Sequence, residues 1–234
     1  MIRPVSVSVS SGFPGRLIAP GLALIFDMDG VIVDSMPVHI DAWRRYLKSI
    51  GHENSDIIHR MHGRRNDEII LDLLGAAADA KEVMEHGAAK ERLYREMMHD
   101  RLANQLVPGI PQFLERTQGC PVAVASNAER ANIDFVLDQA GLRKYFQVIV
   151  DGSQVVAPKP APDVYLRAAQ ELRVDPKNCI VFEDSPVGIA AARAAGARVA
   201  GVLTHSTELG PLDFSTPDFL AVELEQWLAA QRPA

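Results

Sequence analysis

At 234 residues the chain is long enough for one large domain or two modest ones. A composition of 47% hydrophobic and 23% charged residues excludes wholesale disorder. The formal net charge of −6 argues against nucleic-acid binding, which relies on basic surface, and means that an anionic ligand needs locally placed positive charge. No apolar run approaches the ~18 residues of a membrane span. Cys120 and Cys179 each open an apolar run without a neighbour at metal-binding spacing, so free thiols are expected.

Residues 1–20 read as a tail or an edge segment. Val5 and Val7 alternate with serines, but Gly12, Pro14, Gly15 and Pro20 favour a loop. There is no apolar core of a secretory signal, and the expected location is cytoplasmic. The run from Leu22 to Phe26 then reads as a buried parallel strand that ends abruptly in Asp27-Met28-Asp29-Gly30. Ser35 can cap a following helix with Pro37 in its first turn, and Trp43, Tyr46, Leu47 and Ile50 supply its apolar stripe. Asn66 reads as a second N-cap, followed by Asp67, Glu68 and a stripe of Ile69, Ile70, Leu73 and Leu74. From Asp79 to Arg101 a charged segment reads as one or two further helices, interrupted near Gly87.

After Val107 the pattern changes. Short apolar strands (Pro121–Ser126, Gln147–Val150, Cys179–Phe182, Arg198–Val202) alternate with helices of ~10–14 residues, and a last helix carries Leu220, Leu224, Trp227 and Leu228. This alternation predicts right-handed βαβ units. The expected fold is α/β, a doubly wound parallel sheet with an all-α insertion. Residues 21–35 and 106–234 form the core and 36–105 the helical insert.

Four strand ends carry polar residues, where ligands bind in such sheets. They are Asp27 and Asp29; Ser126 and Asn127; Lys159 between prolines; and Glu183-Asp184-Ser185. Taken singly, Ser126-Asn127 reads as a turn and Glu183-Asp184-Ser185-Pro186 as a helix cap. Together they make a phosphoryl-transfer kit. Asp27 can act as carboxylate nucleophile, and Asp29 can protonate the leaving oxygen and then activate water. Mg²⁺ takes oxygen ligands: one each from Asp27 and Asp184, the Asp29 carbonyl, and Glu183 directly or through water. Ser126 can donate to phosphoryl oxygens, and Lys159 supplies fixed positive charge.

These motifs, with Lys159-Pro160-Ala161-Pro162-Asp163 and Phe182-Glu183-Asp184-Ser185-Pro186-Val187-Gly188, resemble the haloacid dehalogenase superfamily from about residue 22 to 230. The likeness is greatest to the branch with β-phosphoglucomutase and small sugar-phosphate phosphatases. It implies a helical cap after the first motif, a nucleophile at Asp27, acid/base at Asp29, phosphate binding at Ser126, charge balance at Lys159, and Mg²⁺ at Asp27, Asp29 and Asp184 with Glu183 assisting. In the cap, His39 precedes Trp43 by four residues as in the mutase pattern. Gly63-Arg64-Arg65-Asn66 departs from the mutase Gly-x-Ser-Arg by placing its arginines early. With Ser126-Asn127 in the second motif, this tilts the reading to a phosphatase of a small phosphorylated metabolite, with His39, Arg64, Arg65 and Asn127 as substrate contacts. A mutase is the alternative, and a silent phosphate-binding domain the third reading. His52, His59, His86, His99 and His205 are read as surface or packing residues, and the assembly as a monomer or weak homodimer.

Overall fold

The structure, a computed structural model, describes residues 17–52, 66–75 and 79–234. Its frame is a six-stranded, all-parallel sheet in the order β3-β2-β1-β4-β5-β6. The strands are β1 (Ala23–Phe26), β2 (Val122–Ala125), β3 (Val148–Val150), β4 (Cys179–Glu183), β5 (Arg198–Val202) and β6 (Phe214–Thr216). From β1 the chain winds outward through β2 to β3, returns to the other side of β1 as β4, and winds outward again. The strand order therefore switches between β1 and β4, where Phe26 lies in register with Phe182. A crevice opens beyond strand ends at such a switch point. Asp27 and Glu183 stand at its two sides.

Both faces of the sheet are covered, so the central strands are buried at every position and are apolar up to Glu183 at the end of β4. On one face Leu24, Phe26, Val122, Val124, Ile180 and Phe182 pack in a cluster with Phe113 and Phe219. Phe26 stacks on Phe182 with centroids 4.7 Å apart and meets Phe113 edge-on at 6.2 Å. The other face carries small residues, Ala23, Ala123 and Ala125, which let α7 (Asp163–Leu172) approach with Val164, Tyr165, Ala168 and Ala169. The remaining crossover helices are α6 (Arg130–Gln139), between β2 and β3, and α8 (Pro186–Ala194), between β4 and β5.

Between β1 and β2 the chain inserts α1 (Met36–Ser49), α2 (Asn66–Leu74), α3 (Ala80–His99) and α4 (Leu102–Gln105), before α5 (Ile110–Arg116) rejoins the sheet. Trp43, Tyr46, Leu47, Ile69, Ile70 and Val83 form a small core of their own. Among the described residues, no helix is long and apolar enough to cross a membrane.

Five local expectations change. The Ser35 hydroxyl does not cap α1; it donates to Asp29 instead. Asn66 is itself helical in α2 rather than its cap, and its side-chain amide donates to Glu91. Gly87 does not interrupt α3, which runs unbroken from Ala80 to His99; a helical glycine costs only ~1 kcal/mol, too little to break a 20-residue helix. A sixth strand, Phe214–Thr216, pairs with β5; three residues without an apolar run carry no strand signal. The last helix, α9, spans Val222–Ala230, so Leu220 precedes it and is exposed.

Phe26 holds four aromatic neighbours directly behind the first acidic motif. Replacing it by alanine should cost ~3–5 kcal/mol of unfolding free energy, measured by urea denaturation. A loss below ~1 kcal/mol would contradict this description of the core.

Candidate active site

Asp27 is the first residue beyond β1. Its N–H still donates to the Phe182 carbonyl at 3.0 Å, so the strand ladder fixes where the carboxylate stands. The chain then turns sharply, with the amides of Ile32 and Val33 both directed at the Met28 carbonyl, at 2.9 and 3.2 Å. Gly30 is required here twice over. Its φ of +77° is left-handed, and a Cβ would lie 1.9 Å from Asp184 Oδ2.

Lys159 joins the two sides of the crevice. Its ammonium donates to Asp27 Oδ1 and to Glu183 Oε1, both at 2.7 Å, and lies over the Tyr165 ring. All three charged groups are buried. Glu183 is saturated: Oε1 also accepts from the Tyr165 hydroxyl at 2.6 Å, and Oε2 accepts from the Asp184 amide and from the amide and hydroxyl of Ser185. A Cβ on Gly188 would fall 1.7 Å from Glu183 Oε1, so the first turn of α8 needs glycine at that point. The lysine backbone is held from the second motif, since its N–H donates to Asn127 Oδ1 at 3.2 Å. Ser126 Oγ accepts from the Ala128 amide at 3.2 Å.

Burial sets the electrostatics, and the pairs then oppose it. Burial alone would lower Lys159, but Asp27 and Glu183 raise it above its ordinary value. Burial alone would raise Glu183, but Lys159 and the other donors bring it down. Asp27 is pushed up to about 8, chiefly by burial, with Glu183, Asp29 and Asp184 adding to it against Lys159. Asp184 is likewise raised by burial, against a bond from His205.

Asp27, Glu183 and Asp184 each bring one carboxylate oxygen to within 4.8 Å of the others. An all-oxygen donor set suits a hard divalent cation of the Mg²⁺ kind. Because five donors already engage Glu183, Asp27 and Asp184 have the oxygens free to ligate. The Asp29 carboxylate points elsewhere. Its Oδ1 accepts the Ser35 hydroxyl at 2.5 Å and lies 3.8 Å from His39 Nε2. These contacts outweigh burial and lower its pKa. His39 stacks flat on Tyr94 at 3.8 Å, and its Nδ1 meets the Lys90 ammonium at 2.7 Å.

The four strand-end motifs thus converge: Asp27, Lys159, Glu183 and Asp184 form one cluster, with Asn127 bracing Lys159 and Ser126 beside it. His39 reaches the site from α1. Arg64 and Arg65 lie outside the described residues. His205 corrects the surface-or-packing reading: it bridges Asp184 Oδ2 at 2.9 Å and Asp34 Oδ1 at 2.8 Å, and these bonds push it up to about 9. His86 also has a specific partner, the Tyr46 hydroxyl. Tyr165, Ser35, Lys90 and Glu91 carried no signal of a site role in the sequence. Each sits in an ordinary helical or capping pattern that says nothing of its partner: Asp29 for Ser35, Glu183 for Tyr165, His39 for Lys90 and Asn132 for Glu91.

Comparison with known proteins agrees with this geometry. Residues 22–196 match the family described as haloacid dehalogenase-like hydrolase. The chain is 37% identical over 180 residues to the fructose-1-phosphate phosphatase YqaB of Escherichia coli, covering 74% of this chain and 92% of that one. It is 33% identical over 196 residues to a phosphorylated carbohydrates phosphatase of Thermotoga maritima, covering 80% and 88%. Among solved structures, a β-phosphoglucomutase from Clostridium difficile superposes with a TM-score of 0.75 at 27% identity, covering 88% of this chain and 96% of that one. On the extent of the family match and these identities, the chain belongs to the haloacid dehalogenase-like hydrolases.

Proposed function

We propose that this chain is a Mg²⁺-dependent phosphatase that hydrolyses a small phosphorylated metabolite, of the sugar-phosphate or phosphoglycolate type, through an aspartyl-phosphate on Asp27. The observation that carries the reading is the division of labour between the two aspartates. Asp27 lies in the cation-ready cluster beside Lys159, whereas Asp29 is turned away from it to Ser35 and His39. The names of the two phosphatase relatives support the same substrate class.

Asp27 attacks phosphorus and the ester P–O bond breaks. Asp29 gives its proton to the departing oxygen. It then takes a proton from water, whose oxygen attacks the phosphorus of the aspartyl-phosphate and frees Asp27 and inorganic phosphate. Lys159 balances negative charge next to the nucleophile throughout, and Ser126 and Asn127 face the phosphoryl oxygens. Asp27, Asp184 and the Asp29 carbonyl would hold the metal, with Glu183 orienting the set; when bound, the cation supplies charge neutralisation at the phosphoryl group. Residues 36–105 act as a cap that excludes bulk water, with His39, Arg64 and Arg65 as substrate contacts. In this reading the enzyme is cytoplasmic and monomeric or weakly dimeric, and acts on neither nucleic acid nor membrane.

The likeness to a β-phosphoglucomutase favours a second reading, in which the phosphoryl group returns to a sugar hydroxyl. Phosphorus NMR on a hexose 1-phosphate with a bisphosphate primer separates the two. Inorganic phosphate is expected, and accumulation of the 6-phosphate instead would establish the mutase.

Asp27→Asn should abolish release of phosphate from p-nitrophenyl phosphate, a fall of at least ~10³-fold in kcat; unchanged turnover would sink the assignment. The raised Asp27 and Asp184 also fix a sign. A carboxylate whose folded pKa exceeds its unfolded value adds stability at low pH, and that stability is lost as pH rises through the folded value. The metal-free protein should therefore lose melting temperature as pH rises through about 8, where Asp27 titrates. Mg²⁺ should restore more of it at high pH than at about pH 6, because the ligands must be deprotonated to bind. Thermal melts with Mg²⁺ or with chelator check this, and equal increments at both pH values would contradict it.

A further inference from the structure

The three carboxylates gathered at the candidate cation site are held very unequally. Asp27 takes the Lys159 ammonium at 2.7 Å. Glu183 accepts from Lys159, Tyr165, the Asp184 amide, and the amide and hydroxyl of Ser185. The Asp184 carboxylate occupies the space that Gly30 leaves by having no side chain. Among the described residues, one hydrogen bond reaches that carboxylate, and it comes from the His205 ring, whose Nδ1 lies 2.9 Å from Oδ2.

The ring is itself fixed from several sides. His205 stands in the loop after β5, where the Leu203 N–H still donates to the Thr216 carbonyl at 2.9 Å. The hydroxyl of Thr204 donates to the Gly30 carbonyl at 2.6 Å, which ties this loop to the turn of the first motif. The second ring nitrogen, Nε2, lies 2.8 Å from Asp34 Oδ1. Asp34 is anchored in turn, its N–H donating to the Gln105 carbonyl at 2.7 Å. The imidazole is therefore a strut between one carboxylate outside the cluster and one inside it. Partners placed behind the ligands of a metal in this way orient those ligands before the ion arrives.

We infer that His205 is a positioning residue for the cation site: by holding Asp184 Oδ2 against the Asp34 anchor, it leaves Asp184 Oδ1 set to ligate. Asp27 and Glu183 need no such help, because Lys159 and the first turn of α8 already fix them. The role is one of geometry, so it requires a nitrogen at the Nδ1 position and acts on cation affinity before any substrate is present. This deepens the cation site of the proposed function and rests on it. It also brings in β5, a strand whose end carries none of the four motifs.

The test is a titration of the full-length protein with Mn²⁺ alone. Mn²⁺ takes the same kind of oxygen ligands as Mg²⁺, and electron paramagnetic resonance counts its free ion, so neither substrate nor turnover is needed. His205→Ala should raise the Kd for Mn²⁺ by ~10–100-fold. Two uncharged variants then separate the ring's two contacts. The amide nitrogen of asparagine falls where Nδ1 stands and can reach Asp184, whereas that of glutamine falls where Nε2 stands and reaches Asp34 only. His205→Asn should therefore recover most of the loss, to within ~5-fold of the wild type, and His205→Gln should bind as weakly as His205→Ala. Unchanged or tighter binding by His205→Ala would overturn the inference, since the ring would then be idle or in competition with the cation. Equal weakening by His205→Asn and His205→Gln would overturn it as well, because the bond to Asp184 would not be what matters. A wild type that binds no Mn²⁺ would sink the cation site and this inference together. Binding that Asp27→Asn abolishes and the His205 variants leave untouched would sink this inference alone.

Discussion

Asp27, Lys159 and Glu183 meet in a buried triad assembled from the end of β1, the loop after β3 and the end of β4. Much of the rest of the molecule depends on that meeting. Three charges cannot leave water singly without a penalty of several kcal/mol each, and they do so here because each lies against its opposite at 2.7 Å. Removing Lys159 would leave two buried carboxylates facing each other. Removing Glu183 would free the lysine and unfasten the loop to which it is tied. The sheet supplies the rigidity: Asp27 continues the ladder beside Phe182, and the aromatic cluster behind that pair leaves no room for drift.

Around the triad, the two aspartates of the first motif are separated in chemistry by a turn of one residue. Burial, with the neighbouring carboxylates, raises Asp27; Asp29 lies among donors that outweigh burial and is lowered. Gly30 permits the turn, and its missing side chain leaves space for Asp184. Gly188 does the same for Glu183. The site is therefore built as much by what two glycines omit as by what the charged residues contribute.

The core was largely legible from the chain alone because its logic is local. Apolar runs such as Leu22–Phe26 and Ile180–Phe182 can only be buried strands, and charged residues at their ends have only the crevice to enter. The third motif was readable for a similar reason, since prolines flank Lys159. What escaped were the partners that no strand-end motif marks. Periodicity shows that α3 has a buried face, but Ala-Ala-Lys90-Glu91-Arg92 looks like any solvated stretch of helix. Its burial depends on Asn132, over 40 residues away. Tyr165 reads as a core aromatic, and only the fold places its hydroxyl on Glu183. His205 has no motif at all, yet it closes onto both Asp34 and Asp184. Ser35 has the right type and place for a helix cap, and the stronger acceptor on Asp29 takes its hydroxyl instead.

The central claim is that Asp27 carries the phosphoryl group. It is tested most directly by acid-quenching the enzyme during turnover of a phosphate ester, reducing with borohydride, and mapping the peptides by mass spectrometry. An acyl phosphate is reduced to an alcohol, so homoserine should appear at position 27 and nowhere else. Turnover with an unmodified Asp27, or reduction at another carboxylate, would contradict the account.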